Sequence, residues 1–317
     1  MRETLMRAVL VDPGAPGSLK ITESSDPKPL SNQAIVDVKA ISLNLGEVKR
    51  ARRSDPGTHL GWDIAGVVAE AAADGSGPLV GTRVVGVVLA GGWAERVAVN
   101  TDWMAPLPDS VSFATASTLP VAGLTALYAL EQGGQLLGRR VLVTGASGGV
   151  GLFGIQLAKL SGATVTGLVR RPENAEFAKD AGADVVLVGE GAKEAAQHGR
   201  YHCILESVGG QVLSDAMQQV ARGGVLVSYG VSSGETVSIN AGDFFRTGRS
   251  RYYGLYLFTE FGRRPGRDGL RVLVSLVADG ALKTPPINAE GGLDELGALA
   301  ERLFSREISG KAVIHVD

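Results

Sequence analysis

The residues best suited to chemistry in this chain start at Val141. Val141, Leu142, Val143 and Thr144 make an apolar, strand-like run into Gly145-Ala146-Ser147-Gly148-Gly149-Val150-Gly151, and a helical pattern carrying Gln156 and Lys159 follows. Strand, glycine turn and helix in that order are the fingerprint of a dinucleotide site. Gly148 lets the backbone approach a pyrophosphate, and Gly151 lets the helix pack closely on the strand. The phosphates then rest on free N–H groups at the positive end of the helix. Short glycine motifs are often only structural turns. Here the loop is followed by a helix and a second strand, which favours the nucleotide.

That second strand ends Gly167-Leu168-Val169-Arg170-Arg171-Pro172, with no carboxylate before Glu173. Sites that prefer NAD place an acidic residue about 20 residues past the loop to hold the ribose hydroxyls. Arg170 and Arg171 instead offer bidentate donors to a 2′-phosphate. One charge-assisted hydrogen bond contributes roughly 1.5–3 kcal/mol, so one arginine supplies about a tenfold to hundredfold preference. Two solvated cations at the start of a helix are otherwise poorly placed. NADPH is therefore the expected cofactor. The loop also spells TGxxxGxG, the glycine pattern of short-chain dehydrogenases. Those enzymes need a tyrosine four residues before a lysine, and Tyr201, Tyr229, Tyr252, Tyr253 and Tyr256 all lack one. That reading is set aside.

The elements that must position these groups fall into two textures. Before Pro120, short strands are expected at 7–11, 18–22, 33–42, 64–71, 83–89 and 95–99, separated by Pro/Gly/Asp/Ser clusters. After it, strands at 140–144, 164–169, 184–188, 202–206 and 224–229 alternate with helices at 122–132, 150–161, 172–181 and 212–220. The first pattern predicts an antiparallel, partly barrel-like β domain. The second predicts a parallel, doubly wound α/β sheet of the Rossmann kind. Two amphipathic helices and a final strand at 312–316 are expected to rejoin the first domain. The expected division is residues 1–119 with 257–317 for the β-rich domain and 120–256 for the nucleotide domain.

Composition narrows the function classes. The 31 basic and 33 acidic residues leave a formal net charge of -2, which gives no support for nucleic-acid or anionic-membrane partners. No apolar run approaches the roughly 18 residues of a membrane span. The N-terminal stretch lacks an apolar segment of signal-peptide length, so a cytoplasmic location is expected. One cysteine, Cys203, excludes an intrachain disulfide and argues against a thiolate metal site.

With these motifs in place, the chain resembles the medium-chain dehydrogenase/reductase superfamily, in its zinc-free quinone oxidoreductase (zeta-crystallin-like) branch. The resemblance rests on Ser42-Leu43-Asn44, Gly61-Trp62-Asp63-Ile64-Ala65-Gly66-Val67-Val68, Val80-Gly81-Thr82-Arg83-Val84, Gly92-Trp93-Ala94-Glu95, Leu119-Pro120-Val121-Ala122-Gly123-Leu124-Thr125-Ala126, the glycine loop, and Gly310-Lys311-Ala312-Val313. It implies a Rossmann domain beside a GroES-like, β-rich catalytic domain. Zinc-dependent members carry Cys, then Gly-His-Glu, then Cys or Asp as ligands. Here Asn44, Trp62 and Val121 stand at or near those places, so no tetrahedral zinc site can form from them. None of His59, His198, His202 and His315 is read as a ligand.

The resemblance further implies that Asn44 and Thr125 line the nicotinamide end, with Trp62 and Trp93 narrowing a substrate cleft between the domains. Ser207, Val208 and Gly209 border the adenosine half, Tyr229 and Gly230 close over the cofactor, and Lys311 lies near it. Without a metal, triad or carboxylate dyad, the residues orient the reactants and the cofactor carries the chemistry. The expected activity is NADPH-dependent reduction of a quinone or similar flat, electron-poor carbonyl compound, with Asn44 donating to the developing oxyanion. The alternatives are an enoyl or alkenal reductase and a non-catalytic NADPH-binding sensor. The aromatic run Arg251–Phe258 reads as buried core or as an edge strand pairing across a two-fold axis, and a homodimer is expected.

Overall fold

The computed structural model describes residues 5–317. Residues 1–4, which belong to the N-terminal reading and to the first expected domain, lie outside the described residues. The chain forms two units, one holding residues up to Leu124 together with Phe261–Asp317, the other Thr125–Glu260. Their borders fall within five residues of the junctions expected at 119/120 and 256/257.

The first unit opens with the antiparallel pair β1 (Leu5–Val11) and β2 (Leu19–Ser25). Next come β3 (Gln33–Ser42), α1 (Leu45–Ala51), β4 (Asp63–Glu70), β5 (Arg83–Val87), β6 (Arg96–Asn100), β7 (Met104–Pro106) and α2 (Phe113–Ser117). α3 (Pro120–Glu131) then carries the chain into the second unit.

The second unit alternates β8 (Arg140–Thr144), α4 (Gly149–Leu160), β9 (Thr164–Val169), α5 (Ala175–Asp180), β10 (Val185–Val188), β11 (Tyr201–Glu206), α6 (Gly210–Met217), β12 (Val220–Ser228), α7 (Ala241–Thr247), β13 (Arg251–Gly254) and α8 (Leu257–Glu260). The tail returns as α9 (Gly266–Ala278), β14 (Ile287–Gly292), α10 (Leu296–Phe304) and β15 (Lys311–His315).

Alternation along β3 points Ala34, Val36 and Val38 into the core of the first unit, where they meet Ile64, Val84, Val99 and Ile314. Apolar side chains on one face of a strand leave no other register. The sheet order is β14-β15-β3-β4-β5-β7, with β6 also on β3. α10 buries Leu296, Leu299, Ala300 and Leu303, the spacing of a single helix face.

In the second unit the order β10-β9-β8-β11-β12-β13 is parallel throughout. This is the doubly wound arrangement, whose strand order reverses between β8 and β11. Val141, Leu142 and Val143 are fully buried, as strands covered on both faces must be. No helix among the described residues is long and apolar enough to cross a membrane.

Candidate active site

Each unit carries its own set of candidate groups. In the second, β8 delivers Thr144 and the glycine loop to the carboxyl edge of the sheet. The first residue before α4 is Gly148, with φ −81° and ψ 165°, and it offers no side-chain cap to the helix. The N–H groups of the first turn therefore remain for an anion. A Cβ at Gly151 would lie 2.5 Å from the Gly145 carbonyl oxygen and 2.8 Å from the Ala146 Cα. Only glycine lets the helix sit this close to the loop. Gly151→Val is expected to cost about 1–3 kcal/mol through overpacking, and the midpoint shift that NADPH produces in thermal denaturation should shrink. An unchanged shift would separate the loop from nucleotide binding.

The loop after β11 is held by a residue that the sequence reading passed over. Glu206 is fully buried, and its Oε1 accepts from the N–H groups of Val208 at 2.7 Å and Gly209 at 2.9 Å and from the Thr144 hydroxyl at 3.3 Å. Burial raises its pKa above the ordinary carboxylate value. The Ser207 N–H donates to Thr144 Oγ1 at 3.1 Å. The loop expected to border the adenosine half is thus fastened to the glycine loop through Thr144. Ser207 in turn accepts from Ser232 N–H through its carbonyl, and Tyr229 N–H donates to the Glu206 carbonyl, which places Tyr229 and Gly230 on the same edge. Burial pushes the Tyr229 phenol above its ordinary range, so it stays protonated at neutral pH.

Arg170 and Arg171 follow the last residue of β9. Arg171 is paired with Glu173 at 3.4 Å. Arg170 is exposed and makes no hydrogen bond or ion pair among the described residues. Cys203 is buried, which lifts its thiol to about 12; it is a packing residue rather than a nucleophile.

The first unit concentrates its polar groups around Asn44. Asn44 precedes α1, and its N–H donates to Glu47 Oε2 at 2.8 Å, half of a capping box. The side-chain amide donates one hydrogen to Glu47 Oε2 at 2.9 Å and the other to Asp63 Oδ2 at 2.7 Å. Its Oδ1 accepts from Lys311 Nζ at 2.9 Å. Lys311 also donates to the Leu43 carbonyl at 3.1 Å and stands 3.8 Å from Asp63 Oδ2. Trp62 N–H completes Glu47 at 2.6 Å, and Val121 N–H completes Asp63 at 2.8 Å. The positions matched to zinc ligands, Asn44, Trp62 and Val121, all feed this one cluster of two carboxyls and an ammonium. No group of three or more His, Cys, Asp or Glu suited to a metal ion occurs among the described residues.

Three of the expected site residues are held by neighbours within the first unit. Both amide hydrogens of Asn44 go to the carboxyl groups of Glu47 and Asp63. Lys311 is 4% exposed; two of its three N–H donors go to the Leu43 carbonyl and Asn44 Oδ1, and its charge faces Asp63 Oδ2 at 3.8 Å. Trp93 is 1% exposed within the apolar core, and a Cβ at Gly61 would lie 2.7 Å from its Cδ1. Trp62 is half-buried, with its ring near Gly46 at the start of α1. Thr125 is 5% exposed within α3, and its hydroxyl has no hydrogen-bond partner among the described residues.

Electrostatics distinguish the members of the cluster. Burial, with Asp63 alongside, pushes Glu47 up to about 8. Burial also raises Asp63 and lowers Lys311. Glu47 is the group that keeps its proton into the neutral range. A carboxyl raised in this way binds its proton in the folded chain where the unfolded chain has lost it. Its contribution is therefore fully present below its ordinary 4.5 and is lost as pH rises through about 8. Glu47→Gln should flatten that part of the stability profile, read by urea unfolding between about pH 5 and pH 9. A slope that survives the substitution would assign it to another group.

Known proteins show the same architecture. The family described as alcohol dehydrogenase GroES-like domain matches residues 31–109, and that described as zinc-binding dehydrogenase matches residues 149–264. A chloroplast envelope quinone oxidoreductase homolog of Arabidopsis thaliana is 30% identical over 325 residues, covering 94% of this chain and 93% of its own. The quinone oxidoreductase of Coxiella burnetii superposes with a TM-score of 0.82 at 28% identity, covering 99% of this chain and 100% of that one. A mycobacterial protein solved in complex with NADPH gives 0.84 at 25% identity, covering 98% and 100%. The glycine loop on a doubly wound sheet, the β-rich partner unit and these similarities together place the chain in the medium-chain dehydrogenase/reductase superfamily, as an oxidoreductase of the quinone oxidoreductase-like branch.

Proposed function

We propose that this oxidoreductase uses NADPH to reduce a flat, electron-poor carbonyl compound, a quinone in the first place, without zinc. The observation that carries the cofactor choice is Arg170. It stands unpartnered just past β9, where an NAD-selective site needs a carboxylate. The uncapped start of α4 and the Cβ-free approach at Gly151 fit a pyrophosphate. Bound there, the nicotinamide would supply the hydride. The rest of the work falls to the chain's own residues. Gly148, Gly149 and Val150 would hold the phosphates, Arg170 the 2′-phosphate, and Thr125 would offer its uncommitted hydroxyl at the nicotinamide end. Asn44 and Lys311 would keep α1 and β4 in register beneath Trp62.

Quinone and enone acceptors call for the same hydride donor, so the product separates them. Incubating the purified chain with NADPH and each acceptor in turn, then analysing products by mass spectrometry, should yield the hydroquinone. Saturated ketone alone would assign the alkenal-reductase reading instead, and no reduced product from either would favour the sensor.

For assembly, β13 is an edge of the parallel sheet, paired only with β12 among the described residues. Tyr252 within it and Tyr256 just after it are 50% and 57% exposed. An edge carrying exposed aromatics suits pairing with a second copy across a two-fold axis. The wild-type chain should elute as a dimer in light scattering, and Tyr252→Lys should shift it toward monomer. A wild-type monomer would remove the dimer from this reading.

A further inference from the structure

The second unit carries another cationic site, on the edge of its sheet opposite the glycine loop. The strands are parallel, so Tyr201 of β11 and Val220 of β12 begin at the amino edge while the loop after β8 leaves from the carboxyl edge. A cavity of about 460 Å³ opens there, lined by Arg200, Gln218, Arg222, Asp243, Arg246 and Thr247. Cavities of roughly 300–1,000 Å³ hold small-molecule ligands. Three guanidiniums against one carboxylate leave a local excess of positive charge, in a chain whose net charge is -2.

Three separate elements bring these arginines together, and each is differently committed. Arg200, just before β11, is anchored by Nη1 donating to the Gln218 carbonyl at 2.6 Å and the Val220 carbonyl at 3.4 Å. Arg246, on α7, donates from Nη2 to Asp243 Oδ1 at 2.6 Å. Arg222, on β12, makes no hydrogen bond or ion pair among the described residues. The two arms are tied where Gly223 N–H donates to the Gly248 carbonyl at 3.1 Å, so the arginines face one cavity instead of splaying apart. Like charges gathered this way repel unless an anion joins them.

We propose that this cavity binds a small phosphate monoester with hydroxyl groups on its body, at a site separate from that of the nucleotide. The planar forks of Arg200, Arg222 and Arg246 match phosphate oxygens. Gln218, Asp243 and Thr247 supply the acceptors and donors that hydroxyls need. Such a ligand would bind whether or not the cofactor assignment holds, because no residue is shared between the two sites.

Calorimetric titration of the whole chain with ribose 5-phosphate at low ionic strength tests this. Saturable binding should weaken about tenfold to hundredfold in Arg222→Ala, while NADPH affinity stays at the wild-type value. Arg222 supports no internal bond, so its loss leaves the fold intact, and an unchanged melting temperature checks that. In Arg170→Ala the pattern should reverse, with ribose 5-phosphate binding kept. Binding lost in Arg170→Ala and untouched in Arg222→Ala would show that the phosphate enters the nucleotide site and would overturn the proposal. So would the absence of saturable binding by both ribose 5-phosphate and inorganic phosphate in the wild type.

Discussion

Lys311→Met is expected to destabilise the chain by about 3–5 kcal/mol, the usual effect of removing one partner from a buried ion pair. The size follows from what is left behind. Asp63 and Glu47 are both fully buried, and Lys311, 3.8 Å from Asp63 Oδ2, is the one cation paired with either of them among the described residues. Methionine fills the volume but leaves Asp63 with two neutral donors and a second carboxyl beside it. Asn44 would also lose the donor at its Oδ1, freeing the amide to rotate. Denaturant unfolding should show the midpoint fall with little change in slope. A loss below about 1 kcal/mol would mean that the cluster behaves as a surface pair does, and that its role in holding α1, β4 and β15 together is small.

Arg170→Ala should weaken NADPH binding about tenfold to hundredfold, through loss of a charge-assisted contact to the 2′-phosphate. NADH carries no such group and should bind as before. Arg171 starts from a weaker position because it already faces Glu173 at 3.4 Å, so Arg171→Ala should have the smaller effect. Fluorescence titration of both dinucleotides against both variants reads the difference. Equal losses for NADPH and NADH would show that Arg170 supports the loop and does not select the cofactor.

The two-texture fold was legible because its cues are local. Apolar strands punctuated by glycine and proline marked the sheet elements, and the loop from Gly145 to Gly151 placed the start of α4 to within a residue. Elements with weak local cues escaped. α1 is a short helix containing Gly46, and β14 ends in Gly291 and Gly292 after Pro285 and Pro286. The pair Gly223 and Gly224 suggests a turn, yet β12 runs through it from Val220.

The polar cluster was invisible for a different reason. Positions 44, 47, 63 and 311 come together only when β15 pairs with β3 and β3 with β4. One signal was available: Asn44 followed three residues later by Glu47 is a capping-box spacing, and it would have flagged Glu47. Trp93 entered the expected cleft through the resemblance alone, and no local cue announced that its ring would be 1% exposed. The ring instead fills space that Gly61 leaves open.

The most direct test of the central claim is NADPH oxidation by the purified chain against a small panel of quinones and 2-alkenones, with NADH as the control. Turnover of a quinone with NADPH, and little with NADH, is the predicted result. No turnover of any acceptor, despite saturable NADPH binding, would contradict the enzymatic reading and leave a nucleotide-binding protein in its place.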